Sequence, residues 1–267
     1  MDKKIRIGAL ISGSGTNLQA IIDACQSGKI DGYMVFVGSD NAKAYGLKRA
    51  RKNNIATFVV DYESIIRKFR RYPQDVVMPE DLDLDDLRVK QTLYSARGDP
   101  EKLNVFLKTR AIAEARLLNE MKPYPFDLLI LAGFMRNLTP YFIDRVNTDR
   151  SNPRIMNIHP SLLPAFPGID GYGDTFRYGC KVAGCTVHFI DYGEDTGPII
   201  AQRAFQIQPD DTLNSLRRKG LKLEWELYTE CIQLFARGLL KTVRMHFELE
   251  TGQSVQRTVV QIALGTG

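Results

Sequence analysis

Ile5-Arg-Ile-Gly-Ala-Leu-Ile-Ser-Gly-Ser-Gly-Thr-Asn17 is the stretch from which the fold can be read. Its first seven residues form a buried parallel strand, and the glycine-rich turn follows without a spacer. Leu18, Ile21, Ile22 and Cys25 then recur at helical spacing. Strand, glycine turn and helix in immediate succession aim free backbone N–H groups and the positive end of a helix at an anion. Gly13 and Gly15 allow a phosphate to approach closely, and Thr16 and Asn17 add side-chain donors. The same residues also make a tight turn that needs no ligand. A dinucleotide fingerprint is a poor match, because Leu18 stands at the third glycine position and Asp31 precedes the second strand.

Working outward, residues 33–37 and 56–60 read as strands around an amphipathic helix at 42–53. The βαβαβ order predicts an α/β protein with a doubly wound, mostly parallel open sheet. Residues 63–108 interrupt it with a basic run, Arg67-Lys-Phe-Arg-Arg71, and an acidic one, Glu80-Asp-Leu-Asp-Leu-Asp-Asp86. Acids alternating with leucines predict helical pieces, as a solvated insertion, a lid or an oligomer contact. Regular structure resumes with a helix at 109–121 and an apolar strand at 126–133. The loop Met135-Arg-Asn-Leu138 follows, with Thr139 and Pro140 as N-cap and first residue of a helix to Val146. Residues 184–190 and 199–207 alternate as strands and predict an antiparallel extension. A long helix to Ala236 is expected to be capped by Asp210 or Asp211. Residues 1–240 are thus expected to form one catalytic domain with an insertion, and 241–267 a tail of one or two strands.

Chemistry concentrates in Arg154-Ile-Met-Asn-Ile-His-Pro-Ser-Leu-Leu-Pro-Ala-Phe-Pro167. On a strand Asn157 and His159 point to the same face. An amide donor beside an imidazole suits acyl transfer, where one binds a developing oxyanion and the other stabilises it or moves a proton. The pair also suits a plainer role, satisfying a loop backbone. Asp195, in the tight Asp-Thr-Gly-Pro198 turn, could lie against the His159 ring and favour its charged form. His188 reads as a packed strand residue, and Glu224 as a substrate ligand or a solvated helix-face acid. The glycine turn, Met135–Leu138 and the Asn–His pair would all fall beyond the carboxyl ends of the strands, where open α/β sheets bind ligands.

The 267 residues are 44% hydrophobic and 25% charged, as in ordinary globular proteins. A formal net charge of +5 fits anionic small substrates or weak nucleic-acid contact and decides neither. No stretch approaches the ~20 apolar residues of a membrane span. Met1-Asp-Lys-Lys-Ile leaves no room for a signal peptide, and four scattered cysteines include no CxxC pair. The expectation is a cytoplasmic protein with reduced thiols, binding neither membrane nor nucleic acid.

Asn157-Ile-His-Pro-Ser-Leu-Leu-Pro164 resembles the signature of the folate-dependent formyltransferases, a family with a Rossmann-type N-terminal half. Ile11-Ser-Gly-Ser-Gly-Thr-Asn-Leu-Gln19, Leu131-Ala-Gly-Phe-Met-Arg136 and Val187-His-Phe189 followed by Glu194-Asp-Thr-Gly-Pro198 extend the resemblance to its glycinamide ribonucleotide branch. That branch moves a formyl group from 10-formyltetrahydrofolate to an amine in purine synthesis, without a metal. The resemblance implies Asn157, His159 and Asp195 as the catalytic trio. It implies Gly15, Thr16, Asn17 and Glu224 as contacts of glycinamide ribonucleotide. For the folate it implies Arg110, Met135, Arg136, Asn137, Leu138, Asn157 and the loop Asp191, Tyr192, Gly193, Glu194 and Asp195. The oligomer would be a monomer or homodimer. Departures from the family pattern are the insertion at 63–108, and Asp170 and Trp225 where histidines are common. Alternatives are another amine acceptor, such as a sugar nucleotide, and a non-catalytic folate or nucleotide sensor.

Overall fold

The computed structural model describes residues 4–93 and 99–263. Seven strands form one sheet: β1 (Ile5–Ile11), β2 (Gly32–Ser39), β3 (Ala56–Val59), β4 (Leu128–Leu131), β5 (Ile155–His159), β6 (Val182–Phe189) and β7 (Ile199–Gln206), in the order β3-β2-β1-β4-β5-β6-β7. The first five are parallel, and β6 and β7 are antiparallel to their neighbours, which is the predicted architecture. The strand order reverses between β1 and β4, making the crevice beyond their carboxyl ends a topological switch point.

Alternation along the strands sorts two cores. Ile7, Ala9 and Ile11 face α1 (Thr16–Gln26), α2 (Tyr45–Lys52) and α8 (Leu213–Ala236). Leu10, Leu129, Leu131 and Ile155 face α3 (Tyr62–Arg71), α5 (Pro100–Met121) and α6 (Pro140–Val146). Gly8 makes room for the fully buried Phe36 on the neighbouring strand, whose ring would lie 2.2 Å from a Cβ there. Burial of the largest side chains on each face stabilises by roughly 1.5–3 kcal/mol apiece before entropy is counted. Tyr228 ties α8 to the sheet, donating from its buried hydroxyl to the carbonyls of Met156 (2.8 Å) and Leu131 (3.2 Å).

The insertion is helical, as predicted, and each of its described α-helices starts on an aspartate. Asp61 accepts from the Ser64 N–H ahead of α3, and Asp83 from those of Asp85 and Asp86 ahead of α4 (Leu84–Lys90). Asp99 caps α5 with Pro100 in the first turn, so this helix begins nine residues before the predicted start at 109. Thr139 and Pro140 begin α6 as expected, but the Thr139 side chain bonds to Glu114 and not to the helix. The α8 cap is a correction. Thr212 makes a capping box with Ser215, while Asp211 accepts from the Gln208 N–H and from Lys219. A short helix, α7 (Gly171–Arg177), follows the proline loop, and the tail forms a hairpin, β8 (Leu240–Glu248) with β9 (Ser254–Ile262). Among the described residues no helix is long and apolar enough to cross a membrane.

Candidate active site

A cavity of about 420 Å³ opens at the carboxyl end of the sheet, between the turn after β1 and the loop after β4. Its walls include Asn17, Met135–Leu138, Asn157, His159, Gly193–Asp195 and Glu224. Residues separated by more than 200 positions in sequence are thus neighbours, because α8 lies beside α1.

The catalytic candidates converge. His159 is 3% exposed, and its Nδ1 lies 3.2 Å from Asp195 Oδ2. Its Nε2 lies 2.8 Å from the Phe166 carbonyl. Both ring nitrogens therefore face acceptors, an arrangement that only the doubly protonated imidazolium satisfies. Burial pulls the other way, and it prevails over Asp195 and Phe166, leaving the His159 pKa below the ordinary imidazole value. Asp195 does support the charged ring as expected, but it does not raise the pKa overall. Asp195 itself pays a burial penalty, which His188, His159 and the Gly168 N–H more than offset, so its carboxyl sits below the usual range. The Gly168 N–H donates to Asp195 Oδ2 at 2.8 Å, and Asp195 adopts a left-handed backbone, φ +54°, that aims it inward.

His188 belongs to this cluster, although its alternation with apolar residues predicts only a packed strand position. The antiparallel register sets it directly opposite Asn157. Its Nδ1–H donates to the Phe189 carbonyl at 2.9 Å, and its Nε2, 3.6 Å from Asp195 Oδ1, accepts from the Asn157 amide at 3.2 Å in the neutral tautomer. That bond orients the Asn157 NH₂ and leaves its second hydrogen for another partner. The β5–β6 pairing was the missing signal.

At the other end of the cavity, Asn17 Nδ2 donates to Glu224 Oε2 at 2.8 Å. Burial raises the Glu224 pKa against the opposing pull of Asn17 and Tyr172. Gly15 precedes α1 with φ +68° and its Cα packed on Gly46, and no side chain caps the helix. An uncapped N-terminus with a backbone this closely packed leaves N–H groups for an anion. Arg49 reaches the same turn, donating to the Ser14 carbonyl at 3.0 Å.

On the remaining wall, Arg136 pairs with Asp40 at 2.5 Å, and Asn137 donates to Glu194 at 3.3 Å. Arg110 is not brought to the cavity wall. It lies within α5, stacked on the Tyr62 and Phe106 rings at 5.3 and 5.0 Å, with Arg136 near Tyr62 at 5.8 Å. Asp170 lines the cavity mouth and is held by Arg217 (2.8 Å) and Arg177 (2.9 Å). Among the described residues, no group of three His, Cys, Asp or Glu side chains is placed to hold a metal ion.

A switch-point cavity with a paired amide and imidazole suits acyl-group transfer, and residues 5–232 match the formyl transferase family, to which the chain belongs. Its relatives there are enzymes of purine synthesis. The chain is 34% identical over 236 residues to the phosphoribosylglycinamide formyltransferase of Haemophilus influenzae, covering 88% of this chain and 89% of that one. It is also 34% identical to the trifunctional purine biosynthetic protein adenosine-3 of Chironomus tentans, but spans only 15% of that protein's length. Among solved structures it is similar to glycinamide ribonucleotide transformylase 1 of Symbiobacterium toebii, with TM-score 0.68 and 38% identity over 98% of this chain and 96% of that one.

Proposed function

We propose that this chain transfers the formyl group of 10-formyltetrahydrofolate to the amine of glycinamide ribonucleotide, giving N-formylglycinamide ribonucleotide and tetrahydrofolate. The observation that carries the reading is the juxtaposition of Asn157, His159 and Asp195 in the switch-point cavity. The ribonucleotide's phosphate is assigned to the α1 N-terminus at Gly15–Asn17, and Glu224 to a polar contact with the same substrate. The formyl donor is assigned to the opposite wall. There Leu131, Leu138 and Ile190 offer apolar surface and the 193–195 loop offers backbone polar groups, a lining suited to a flat heteroaromatic ring. Met135–Leu138 and Asp191–Asp195 are its contacts, with Arg110 supporting that wall through Tyr62 from behind.

The amine lone pair attacks the formyl carbon, the new C–N bond forms, and the carbonyl electrons move onto oxygen. Asn157 and protonated His159 stabilise that oxyanion, with Asp195 balancing the imidazolium. Collapse breaks the bond to the folate N10, and the proton lost by the amine passes to that nitrogen. For this step His159 Nε2 exchanges the Phe166 carbonyl for the reacting oxygen. The reading needs no metal. It places the protein in the cytoplasm, as a monomer or homodimer, with residues 1–240 as the catalytic unit and 241–267 as a tail.

The test is spectrophotometric turnover of the formyl donor with and without glycinamide ribonucleotide. Turnover that requires the ribonucleotide and is lost in folded His159→Ala is the expected result. Donor consumption without an acceptor would instead mark a hydrolase.

A further inference from the structure

The insertion between β3 and α5 is not idle surface, because its last helix reaches the loop that carries Asp195. α4 is fastened to α5 and α6. Leu87 is buried against Leu107, Ala111 and Tyr141, and the Arg88 guanidinium donates to Asn104 Oδ1 at 2.8 and 2.6 Å. From that anchored helix Lys90 bridges Asp86, 2.7 Å away on its own helix, to Asp144, 2.8 Å away on α6. Asp144 also accepts the hydroxyl of Tyr192. Two residues beyond Lys90, the Thr92 N–H donates to the Tyr192 carbonyl at 3.0 Å. Tyr192 is therefore held at both ends, its backbone by Thr92 and its phenol by the Lys90–Asp144 pair. Thr92 also lies close to the next residue, since its Oγ1 would be 2.7 Å from a Cβ at Gly193.

From Tyr192 to Asp195 the loop is stiff. Asp191 Oδ1 accepts from the Gly193 N–H at 3.1 Å and from the Thr196 hydroxyl at 2.6 Å, closing the turn on itself. A displacement at Tyr192 is thus carried to Asp195 with little slack. We propose that residues 84–92 are a strut for the 191–195 loop, with Lys90 and Thr92 as positioning residues that set Asp195 against His159. The inference rests on the catalytic reading of Asp195 above. It gives the insertion a part in the reaction without any contact to substrate.

Lys90→Ala leaves Asp144 without its lysine, and Thr92→Pro removes the N–H that grips Tyr192. Small misplacements of a catalytic group are costly, so each change should lower kcat by about tenfold. The KM for the ribonucleotide should stay within about twofold, because no group that binds it has moved. Amide hydrogen exchange should accelerate selectively at residues 192–195. Lys90→Arg should restore both readouts, and Lys102→Ala, on the exposed start of α5, should change neither. If Lys90→Ala fails to fold, Lys90→Met, which keeps the apolar stem and deletes only the ammonium's bonds to Asp86 and Asp144, takes its place with the same expectations.

Wild-type kcat and unchanged exchange at 192–195 in these variants, alongside an impaired Asp195→Asn enzyme, would overturn the strut and leave the catalytic reading intact. Exchange that rises uniformly over α4–α6 with kcat unchanged would overturn it too, by reducing the contacts to bulk stability. Full activity in Asp195→Asn would bring down both readings together.

Discussion

Replacing Asp195 by asparagine keeps the shape of the loop and removes one charge. Its remaining side-chain oxygen can still accept the Gly168 N–H, now 2.8 Å from the carboxylate. What disappears is the anion 3.2 Å from His159 Nδ1. Two unit charges ~4 Å apart attract by about 4 kcal/mol at an effective dielectric near 20. The carboxylate is 12% exposed, so water screens part of this, and about 2–3 kcal/mol is the working figure. Burial already holds the His159 pKa down, and without Asp195 only the Phe166 carbonyl and the Glu194 charge oppose it.

The expected result is a fall of about 10²-fold in kcat near neutral pH, as the imidazolium becomes scarcer and less stable. The descending limb of kcat against pH, where His159 loses its proton, should move to lower pH. Steady-state assays with both substrates saturating, from pH 5 to 9, would read both effects. A folded Asp195→Asn protein with kcat within about threefold of wild type, or with its alkaline limb unmoved, would refute the reasoning. Stability gives an independent check. The Asp195 pKa is lowered in the folded state, so its contribution is present above the unfolded carboxylate value and lost as pH falls through the folded one. Asp195→Asn should lose less stability than wild type on acidification below about pH 4, by urea midpoints.

The other predictions are shorter. Asn157→Ala should lower kcat by about 10²–10³-fold with both KM values little changed, and a fully active folded variant would exclude the amide as an oxyanion donor. Glu224→Gln should raise the KM for the ribonucleotide by about 10–100-fold, the scale of a charged hydrogen bond, and leave the formyl donor's KM alone; equal effects on both would place Glu224 outside the acceptor site. Gly15→Ala forces a side chain into φ +68° and to 2.7 Å from the Gly46 Cα. It should destabilise by at least about 1–2 kcal/mol in urea titrations. Glu114 is fully buried beneath Thr139, and burial pushes its pKa up to about 8. A raised pKa gives stability that is complete below the unfolded value and drains away as pH rises toward about 8. Glu114→Gln should flatten that slope, and a variant as sensitive to alkali as wild type would contradict it.

Much of this was legible because it is local. Ile5–Ile11, the glycine turn and the spacing of Leu18, Ile21 and Ile22 specify strand, turn and helix with nearest-neighbour rules. Asn157 and His159 share a face by strand periodicity alone. The misses have local and non-local causes. Asp99-Pro100 is a helix-start signal that the acidic, proline-containing insertion obscured. At α8, aspartates at 210 and 211 competed with Thr212, and the reciprocal Thr212–Ser215 bond decided the cap. His188 could not be placed, since its role depends on which residue lies opposite it across β5 and β6. The grip of Thr92 on Tyr192 spans a hundred residues and has no sequence signature. Nor does Arg110, whose position on α5 gives no hint that Tyr62 would stand between it and Arg136.

Strand alternation also explains why a two-substrate transfer suits this edge of the sheet. Along β5, Met156 and Ile158 point toward the layer of α1 and α8, and Ile155 packs in the opposite layer with α5 and α6. Asn157 and His159 therefore project with Ile155, on the side where Ile190 and Tyr192 pack and the 191–195 loop folds over. The proposed acceptor groups, Asn17 and Glu224, come from α1 and α8 in the other layer. The cavity joins the two only where the strands end, at the carboxyl edge. A formyl donor lying on one side and an amine arriving from the other would then meet at the end of β5, beside the two side chains proposed to stabilise the oxyanion. Because β6 runs antiparallel to β5, His188 falls opposite Asn157, and the connector to β7 can return Asp195 to His159. A parallel β6 would require a crossover before pairing and would not set His188 opposite Asn157 in this register. The change of strand direction after β5 is thus the topological feature that brings His188 to the proposed catalytic trio.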